Sequence, residues 1–379
     1  MTFGLSEDER KFQAKAREFA QKEVAPFAEK VDVTGDFPVD TIRKAGEAGF
    51  MGLNIPPDHG GHKVGGVSYA LAIQEISRAC ASVGVILAVH NSLGAFGVYN
   101  FGNEEQRHRY VPDLAAGKKV GGFMLTEPEA GSDASNLSTT AVLDGNHYVV
   151  NGKKRYILSG TNAETFILFA MTDRSQGAKG MSAFILERGT PGLKMTGKHD
   201  MMGVRGCCPA QFEFRDMRIP RENLLGKEGQ GFKIALTLLD HGRIGIGAQG
   251  VGIARAALEE SIQYAKTRVQ FGQPIGKFQG IAWMLADMAS RTEASELLVY
   301  RAAEMKDSGQ RFSKESSMAK LFAAETARIV SERAVQIHGG SGYMRGSPIE
   351  RHYRDAKILE IYEGTSEIQR IVISGALLS

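Results

Sequence analysis

Apolar positions recur at helical spacing through the first third of the chain. "RKFQAKAREFAQKEVAPFAEKV" and "VSYALAIQEISRACASVGVILAVHNSLGAFGVYNFG" both carry the i, i+3, i+4 pattern with few breakers. Ser6 with Glu9 forms a capping box ahead of the first of them. From about residue 119 the period shortens to two. "HYVVNGKKRYIL" sets Asn151-Gly152 between β-prone runs, which predicts a hairpin, and "ETFILFAMT", "MSAFILER" and "QFEFRDMRI" add strands. After "IPRENLLGKEGQGF" the helical period returns in "ARAALEESIQYAKTRV", "GIAWMLADMASRTEASELLVYRAAEMKD" and "SKESSMAKLFAAETARIVSERAVQI", interrupted by turns such as "FGQPIG".

This order predicts an α+β chain of three domains: helical over 1–118, β over 119–226 and helical over 227–379. Strands and helices do not alternate, which argues against a doubly wound nucleotide-binding sheet. Gly245-Ile246-Gly247-Ala248-Gln249-Gly250 spells GxGxxG, but "KIALTLLDHGRI" before it has helical spacing. Its glycines read as close helix packing instead of a phosphate cradle.

Composition narrows the class. The 379 residues are 42% hydrophobic and 23% charged, and 46 basic against 43 acidic residues leave +3. No Lys/Arg-rich run marks a nucleic-acid surface. Cys80, Cys207 and Cys208 offer neither a disulfide framework nor a zinc pattern, so no metal site is expected and a reducing compartment is. "MTFGLSEDERKFQ" resembles neither a secretory signal nor a transit peptide. No apolar span of membrane length stands out, so no membrane association is expected.

Near the C-terminus, "IYEGTSEIQR" sets Glu363 just ahead of a helix start. Ser366 with Gln369 fits a capping box, and Glu363 then reads as an acid favoured by the helix dipole. Together with "MLTEPEAGSD" (124–133), "RVQFGQPIGKFQ" (268–279) and "QIHGGSGY" (336–343), however, this stretch resembles the acyl-CoA dehydrogenase family. The helix/β/helix order is similar too, so the resemblance spans nearly the whole chain.

The resemblance implies an N-terminal helical domain, a central β-barrel-like or orthogonal-sheet domain and a C-terminal four-helix bundle, assembled as a homotetramer. It implies FAD between the β domain and the C-terminal helices, an acyl-CoA substrate and electron-transferring flavoprotein as the electron acceptor. In that chemistry a base takes the α-proton while a hydride leaves Cβ, and the thioester carbonyl must be polarised. The family's base matches Glu363, with Gly364 letting the backbone approach the carbonyl. Members with the base elsewhere carry it just before the arginine matching Arg243. Here that position is Gly242.

Cofactor contacts implied by matching positions are Phe123, Leu125, Thr126, Gly131, Ser132, Tyr156, Leu158, Gln336, Gly340 and Thr365. Arg268, Phe271 and Gln279 match a trio that reaches the neighbouring subunit's cofactor. Substrate contacts are Ser132, Asn91, Asp240, Arg243 and Gly364.

Three positions depart from the family pattern. Tyr156-Ile157-Leu158 stands where Trp-Ile-Thr or Trp-Ile-Ser is common, and Leu158 cannot donate a hydroxyl hydrogen bond to the flavin. Ser159 should point to the opposite strand face. Either flavin reactivity or local geometry then differs. Glu367 replaces a frequent Gln near the phosphates and is favourable only if it turns outward. Cys207 and Cys208 read as packing thiols.

"ILAVHNSLGAFGVY" is expected to set acyl length. It has no arginine for a distal carboxylate, while His90 and Asn91 add polar groups there. A short, branched or cyclic acyl-CoA is the expectation, with an oxidase using O₂ or a non-catalytic acyl-CoA-binding helical protein as alternatives. The expected location is the cytoplasm of a prokaryote, or the mitochondrial matrix in a eukaryote.

Overall fold

The computed structural model describes residues 4–379. Seven helices open the chain: α1 (Glu7–Phe19), α2 (Ala28–Thr34), α3 (Val39–Glu47), α4 (Gly66–Ala79), α5 (Ala81–Val89), α6 (Ala95–Phe101) and α7 (Glu104–Ala115). The Ser6–Glu9 capping box is formed, with Ser6 N donating to Glu9 Oε2 at 2.7 Å. The long apolar run does not make one helix. It breaks at Cys80, an extended residue with φ −155°, and widens into a π-turn over His90–Gly94. The break lets α4 and α5 cross closely: a Cβ on Gly84 would fall 1.9 Å from Ser77 Oγ.

One expectation about membranes needs correcting. Ala81–Phe101 is long and apolar enough to cross a bilayer by length and composition, at mean hydropathy 1.5. Of its most apolar window, 94% is buried inside the protein, so its hydrophobicity is spent on the core.

The middle segment is one mixed sheet. β1 (Gly121–Met124), β2 (Thr140–Asp144), β3 (His147–Ile157), β4 (Thr165–Met171), β5 (Met181–Glu187), β6 (Leu193–Lys198), β7 (Ala210–Pro220) and β8 (Leu224–Leu225) run in the order β6-β7-β3-β2-β4-β5-β8, with β1 parallel to β4. The path stays open between β6 and β8, so this β domain of the expected three-domain layout is an open, folded-over sheet and not a closed barrel. β2 and β4 share only the pair Thr140↔Met171, and the sheet folds over at this joint. Tyr148 meets Phe184 at 4.8 Å and Phe166 meets Phe212 at 5.7 Å, filling the space between the two leaves. Every residue of β4 is buried, which explains its unbroken apolar sequence.

The hairpin lies elsewhere than Asn151-Gly152. β2 and β3 turn at Gly145-Asn146, where Gly145 has φ 59°. Asn151-Gly152 sits inside β3 at a register shift against β7. Asn151 exchanges hydrogen bonds with Asp216, and a Cβ on Gly152 would lie 2.4 Å from Thr139 Oγ1. The glycine permits a close strand approach instead of a turn.

The C-terminal segment is helical: α8 (Gly231–Thr267), a short hairpin of β9 (Val269–Gln270) and β10 (Gln273–Pro274), α9 (Gln279–Asp307), α10 (Ser313–His338), α11 (Gly340–Tyr343), α12 (Pro348–Lys357) and α13 (Ser366–Leu378). The three long helices α8, α9 and α10 pack together, with α12 and α13 against α10. The GxGxxG run lies mid-α8. Added Cβ atoms would fall 2.4 Å from Tyr69 Oη at Gly245, 2.9 Å from Val299 Cγ2 at Gly247 and 2.9 Å from the Ala323 carbonyl at Gly250. These glycines let α4, α9 and α10 approach α8, as the helical context implies.

Candidate active site

A cleft of about 270 Å³ opens between the β leaf and the C-terminal helices. One wall is Phe123, Leu125 and Thr126 at the end of β1, the loop Gly131–Ser135, and Tyr156–Leu158 where β3 ends. Opposite stand Val89 and Leu93 from the α5 region, Phe232, Leu236, Leu239 and Arg243 from α8, and Tyr362, Glu363, Gly364 and Ile368. The topology thus brings together ten of the residues singled out by sequence.

The β wall is held from beneath by a buried ion pair. Lys154 Nζ donates to Glu127 Oε1 at 2.8 Å and to the Leu125 carbonyl at 2.9 Å, with both side chains fully buried. Glu127 also accepts from Ser138 N and Oγ and from Thr139 N, which ties down both ends of the loop carrying Gly131 and Ser132. Burial works against both charges. The Glu127 carboxyl is nevertheless held down to about 2 by Lys154 and these donors. Burial brings Lys154 down to about 8 despite Glu127. No motif pointed to this pair, because Glu127 lies in the loop after β1 and Lys154 on β3, 27 residues apart.

Tyr156 has φ 59° at a bulge of β3 and is half exposed. The Arg155 guanidinium lies 4.7 Å from its ring centroid and His199 4.8 Å away. Leu158 lines the cleft, whereas Ser159 is buried outside it. β3 has ended by then, and Ser159 adopts φ 55° in the following turn, so it faces away by turn geometry and not by strand alternation.

The segment before α13 is built differently from the capping box the sequence suggests. Thr365 is the N-cap, its Oγ1 accepting from Ile368 N at 3.3 Å. Gln369 instead donates back to the carbonyls of Glu363 (3.2 Å) and Gly364 (2.9 Å). Lys320 Nζ, on α10, donates to the same Gly364 carbonyl at 2.6 Å. Glu363 has φ 52° and Gly364 φ 91°. A left-handed glutamate costs about 1–2 kcal/mol, so these three bonds stabilise a backbone the side chain disfavours.

The result aims the Glu363 carboxylate at α8. A Cβ on Gly242 would lie 1.9 Å from Glu363 Oε2. Both carboxylate oxygens are shielded from solvent and accept no hydrogen bond. Burial pushes Glu363 up to about 7, against the pull of Lys320 and Arg243. The dipole reading is thereby replaced: the acid in the first turn of α13 is Glu367, exposed and turned outward.

Arg243 Nη1 donates to Asp240 at 2.6 Å and to Ser317 Oγ at 3.1 Å, leaving Nε unpartnered. Asp240 is absent from the cleft lining and accepts from Ser313 as well. Asn91 is also outside. Its amide is used on Leu53 N and the carbonyls of Phe50 and Leu87. His90 bridges Met51 and Leu114 carbonyls to Gly121 N, and burial lowers it to about 4. Both are therefore structural, correcting their expected place as polar pocket groups.

Arg268, Phe271 and Gln279 gather at the exposed β9–β10 hairpin and the start of α9, with Phe271 93% exposed. Gln336 and Gly340 are exposed around the end of α10, and Thr365 caps α13. None of these six lines the cleft of its own chain. Cys207 and Cys208 are buried, contacting Met201 Sδ and the Gly35 carbonyl. Among the described residues no His/Cys/Asp/Glu group is arranged for a metal ion.

Three domain models cover this layout: acyl-CoA dehydrogenase N-terminal domain over residues 6–118, middle domain over 122–217 and C-terminal domain over 229–378. The chain belongs to the acyl-CoA dehydrogenase family. It is an oxidoreductase that uses FAD. Among family relatives, an acyl-CoA dehydrogenase of Bacillus subtilis is 51% identical over 96% of both chains. A short-chain-specific acyl-CoA dehydrogenase of Clostridium acetobutylicum is 46% identical over the full length of both. Butyryl-CoA dehydrogenase from Megasphaera elsdenii superposes with TM-score 0.98 at 42% identity, covering both chains fully. So does a chain from work on the electron transferring flavoprotein of Acidaminococcus fermentans, at 48% identity and TM-score 0.98. An acyl-CoA dehydrogenase of Bacillus anthracis complexed with FAD matches at 35% identity and TM-score 0.94, over all of this chain and 68% of its own.

The cleft fits a flat cofactor. The Phe123–Thr126 edge and the half-exposed Tyr156 ring line it with apolar and aromatic surface, and a Cβ on Gly131 would meet nothing within 4 Å. The orphaned Glu363 oxygens and Arg243 Nε belong to residues lining the same space.

Proposed function

We propose that this enzyme dehydrogenates a short-chain, branched or cyclic acyl-CoA to its 2-enoyl-CoA, with Glu363 as the base, and passes the electrons to electron-transferring flavoprotein. The observation that carries this reading is the Glu363 carboxylate, shielded and unpartnered in the cleft, where burial pushes it up to about 7. A base with a pKa near the working pH combines adequate ionised population with adequate basicity. FAD, when bound, supplies the hydride acceptor at N5.

The chain's own groups do the rest. Glu363 takes the α-proton, and its left-handed backbone turns its N–H and that of Gly364 out of helix bonding, free to polarise a thioester carbonyl. Ser132, Arg243 and Gly364 are the substrate-side residues in this reading. Phe123, Leu125, Thr126, Gly131, Ser132, Tyr156 and Leu158 hold the ring side of the cofactor. Val89, Leu93 and Leu239 exclude water around the acyl chain. The exposed Arg268, Phe271 and Gln279, with Gln336, Gly340 and Thr365, complete the cofactor site of the assembled homotetramer.

The test is anaerobic bleaching of bound flavin by butyryl-, hexanoyl-, octanoyl-, isobutyryl-, 2-methylbutyryl-, glutaryl- and cyclohexanecarboxyl-CoA. One short, branched or cyclic member should bleach rapidly, and Glu363→Gln should slow that step about 10²- to 10⁴-fold with flavin retained. Undiminished bleaching by Glu363→Gln removes Glu363 as the base. Rapid oxygen consumption during turnover would replace the partner flavoprotein with O₂.

A further inference from the structure

We infer that Lys320 is a positioning residue for the base: its buried ammonium tethers the Glu363–Gly364 backbone and supplies the counter-charge that lets the carboxylate ionise. The inference rests on the reading of Glu363 as the base.

Lys320 lies on α10 with 0% exposure, in the small-residue stretch "SSMAKLFAAETA", where no spacing signal links it to residue 363. Its ammonium donates to the Gly364 carbonyl at 2.6 Å, and among the described residues no carboxylate pairs with it within salt-bridge distance. A buried cation held only by a carbonyl is poorly compensated. A neutral donor would serve as a tether alone, and Gln369 already provides one to the same carbonyl. What Lys320 adds is charge.

The groups facing Glu363 are few. From α8 comes Arg243, whose charge is already engaged by Asp240 at 2.6 Å. From α4 comes the Tyr69 hydroxyl, which stands against Gly245 and bonds the Ala88 carbonyl. Tyr362, next in the chain, bonds Gln249 on α8. Glu360 and Glu367 act on Lys320 from the loop and from α13, but Glu360 is paired with Arg328 and Lys357, and Glu367 is exposed. Among the described residues Lys320 is therefore the one cation acting on the base without a carboxylate partner. The two titrations oppose each other in the expected sense, since burial lowers Lys320 and Glu363 raises it.

The test compares Lys320→Gln, which keeps a donor, Lys320→Met, which keeps neither donor nor charge, and Lys320→Arg, which keeps charge. The first readout is the pH profile of anaerobic flavin reduction by butyryl-CoA. The second is an infrared titration of the Glu363 carboxyl without substrate, isolated by subtracting Glu363→Gln. Lys320→Gln and Lys320→Met should move the acid limb and the infrared midpoint up by about one unit or more, with about a fivefold or greater loss at pH 7 that recovers at higher pH. Lys320→Arg should leave both near wild type. A uniform loss at every pH, with the infrared midpoint unmoved, makes Lys320 a tether only and overturns the inference. If Lys320→Met does not fold, Lys320→Gln decides. The infrared titration is independent of turnover, so it still judges Lys320 should Glu363→Gln retain activity and the base assignment fail.

Discussion

Gly242→Ala is the sharpest probe of how the proposed base, Glu363, is aimed. Gly242 sits in α8 with helical neighbours, and alanine there should gain about 1 kcal/mol in helix propensity. The added methyl, however, would lie 1.9 Å from Glu363 Oε2 and 2.9 Å from its Cδ. Ordinary contact needs about 3.5 Å, so the carboxylate must retreat by roughly 1.5 Å. A displacement of about 1 Å at a reacting group costs about 10²-fold, or about 2.7 kcal/mol in the barrier. Stopped-flow flavin reduction by the best thioester should therefore slow by about 10²-fold or more, while flavin content is unchanged. Thermal unfolding should show little loss, because the clash falls on a side chain with cleft space to rotate into. Wild-type reduction rates in Gly242→Ala would refute the placement of the carboxylate against α8.

Three further outcomes follow from the same geometry. Glu363 has a folded pKa near 7 against 4.5 ordinarily, so the native state prefers its proton; its stabilising contribution is complete below about 4.5 and lost as pH rises to about 7. Glu363→Gln should accordingly match wild type near pH 4 and exceed it by about 3 kcal/mol above pH 7 in denaturant unfolding, and a pH-independent difference would contradict this. Lys154→Met should destabilise by about 3–5 kcal/mol, since it strands the Glu127 carboxylate in the interior, and a loss under about 1 kcal/mol would show that the pair is not buried as described. Phe271→Asp, at a residue 93% exposed, should leave the folded protomer intact but lower the assembled mass by light scattering and weaken flavin retention; unchanged mass and flavin would detach this hairpin from assembly.

Much of the architecture was legible because it is local. The capping box at Ser6, the apolar run of β4 and the long helices α8, α9 and α10 follow from spacings within one turn or one strand. Where a local signal failed, a tertiary contact overrode it. Asn151-Gly152 has the chemistry of a turn, yet Thr139 presses against the glycine and Asp216 engages the asparagine, so the chain runs on as a bulged strand. Ser366 and Gln369 have the chemistry of a cap, but Gln369 is drawn to the carbonyls of Glu363 and Gly364. Ala81–Phe101 has the hydropathy of a membrane span and is a core element because other helices surround it.

The division is the same at the site. The sequence by itself determined the helix/β/helix order, and through its family resemblance it singled out Glu363 as the candidate base and showed that position 242 carries no carboxylate. Only the tertiary structure decided that Gly242 and Glu363 confront each other, that Lys320 stands over the Gly364 carbonyl from 44 residues away, and that Asn91 and His90 serve the backbone. Burial and charge pairing depend on what the fold places beside a group, and neither is a property of the stretch that carries it.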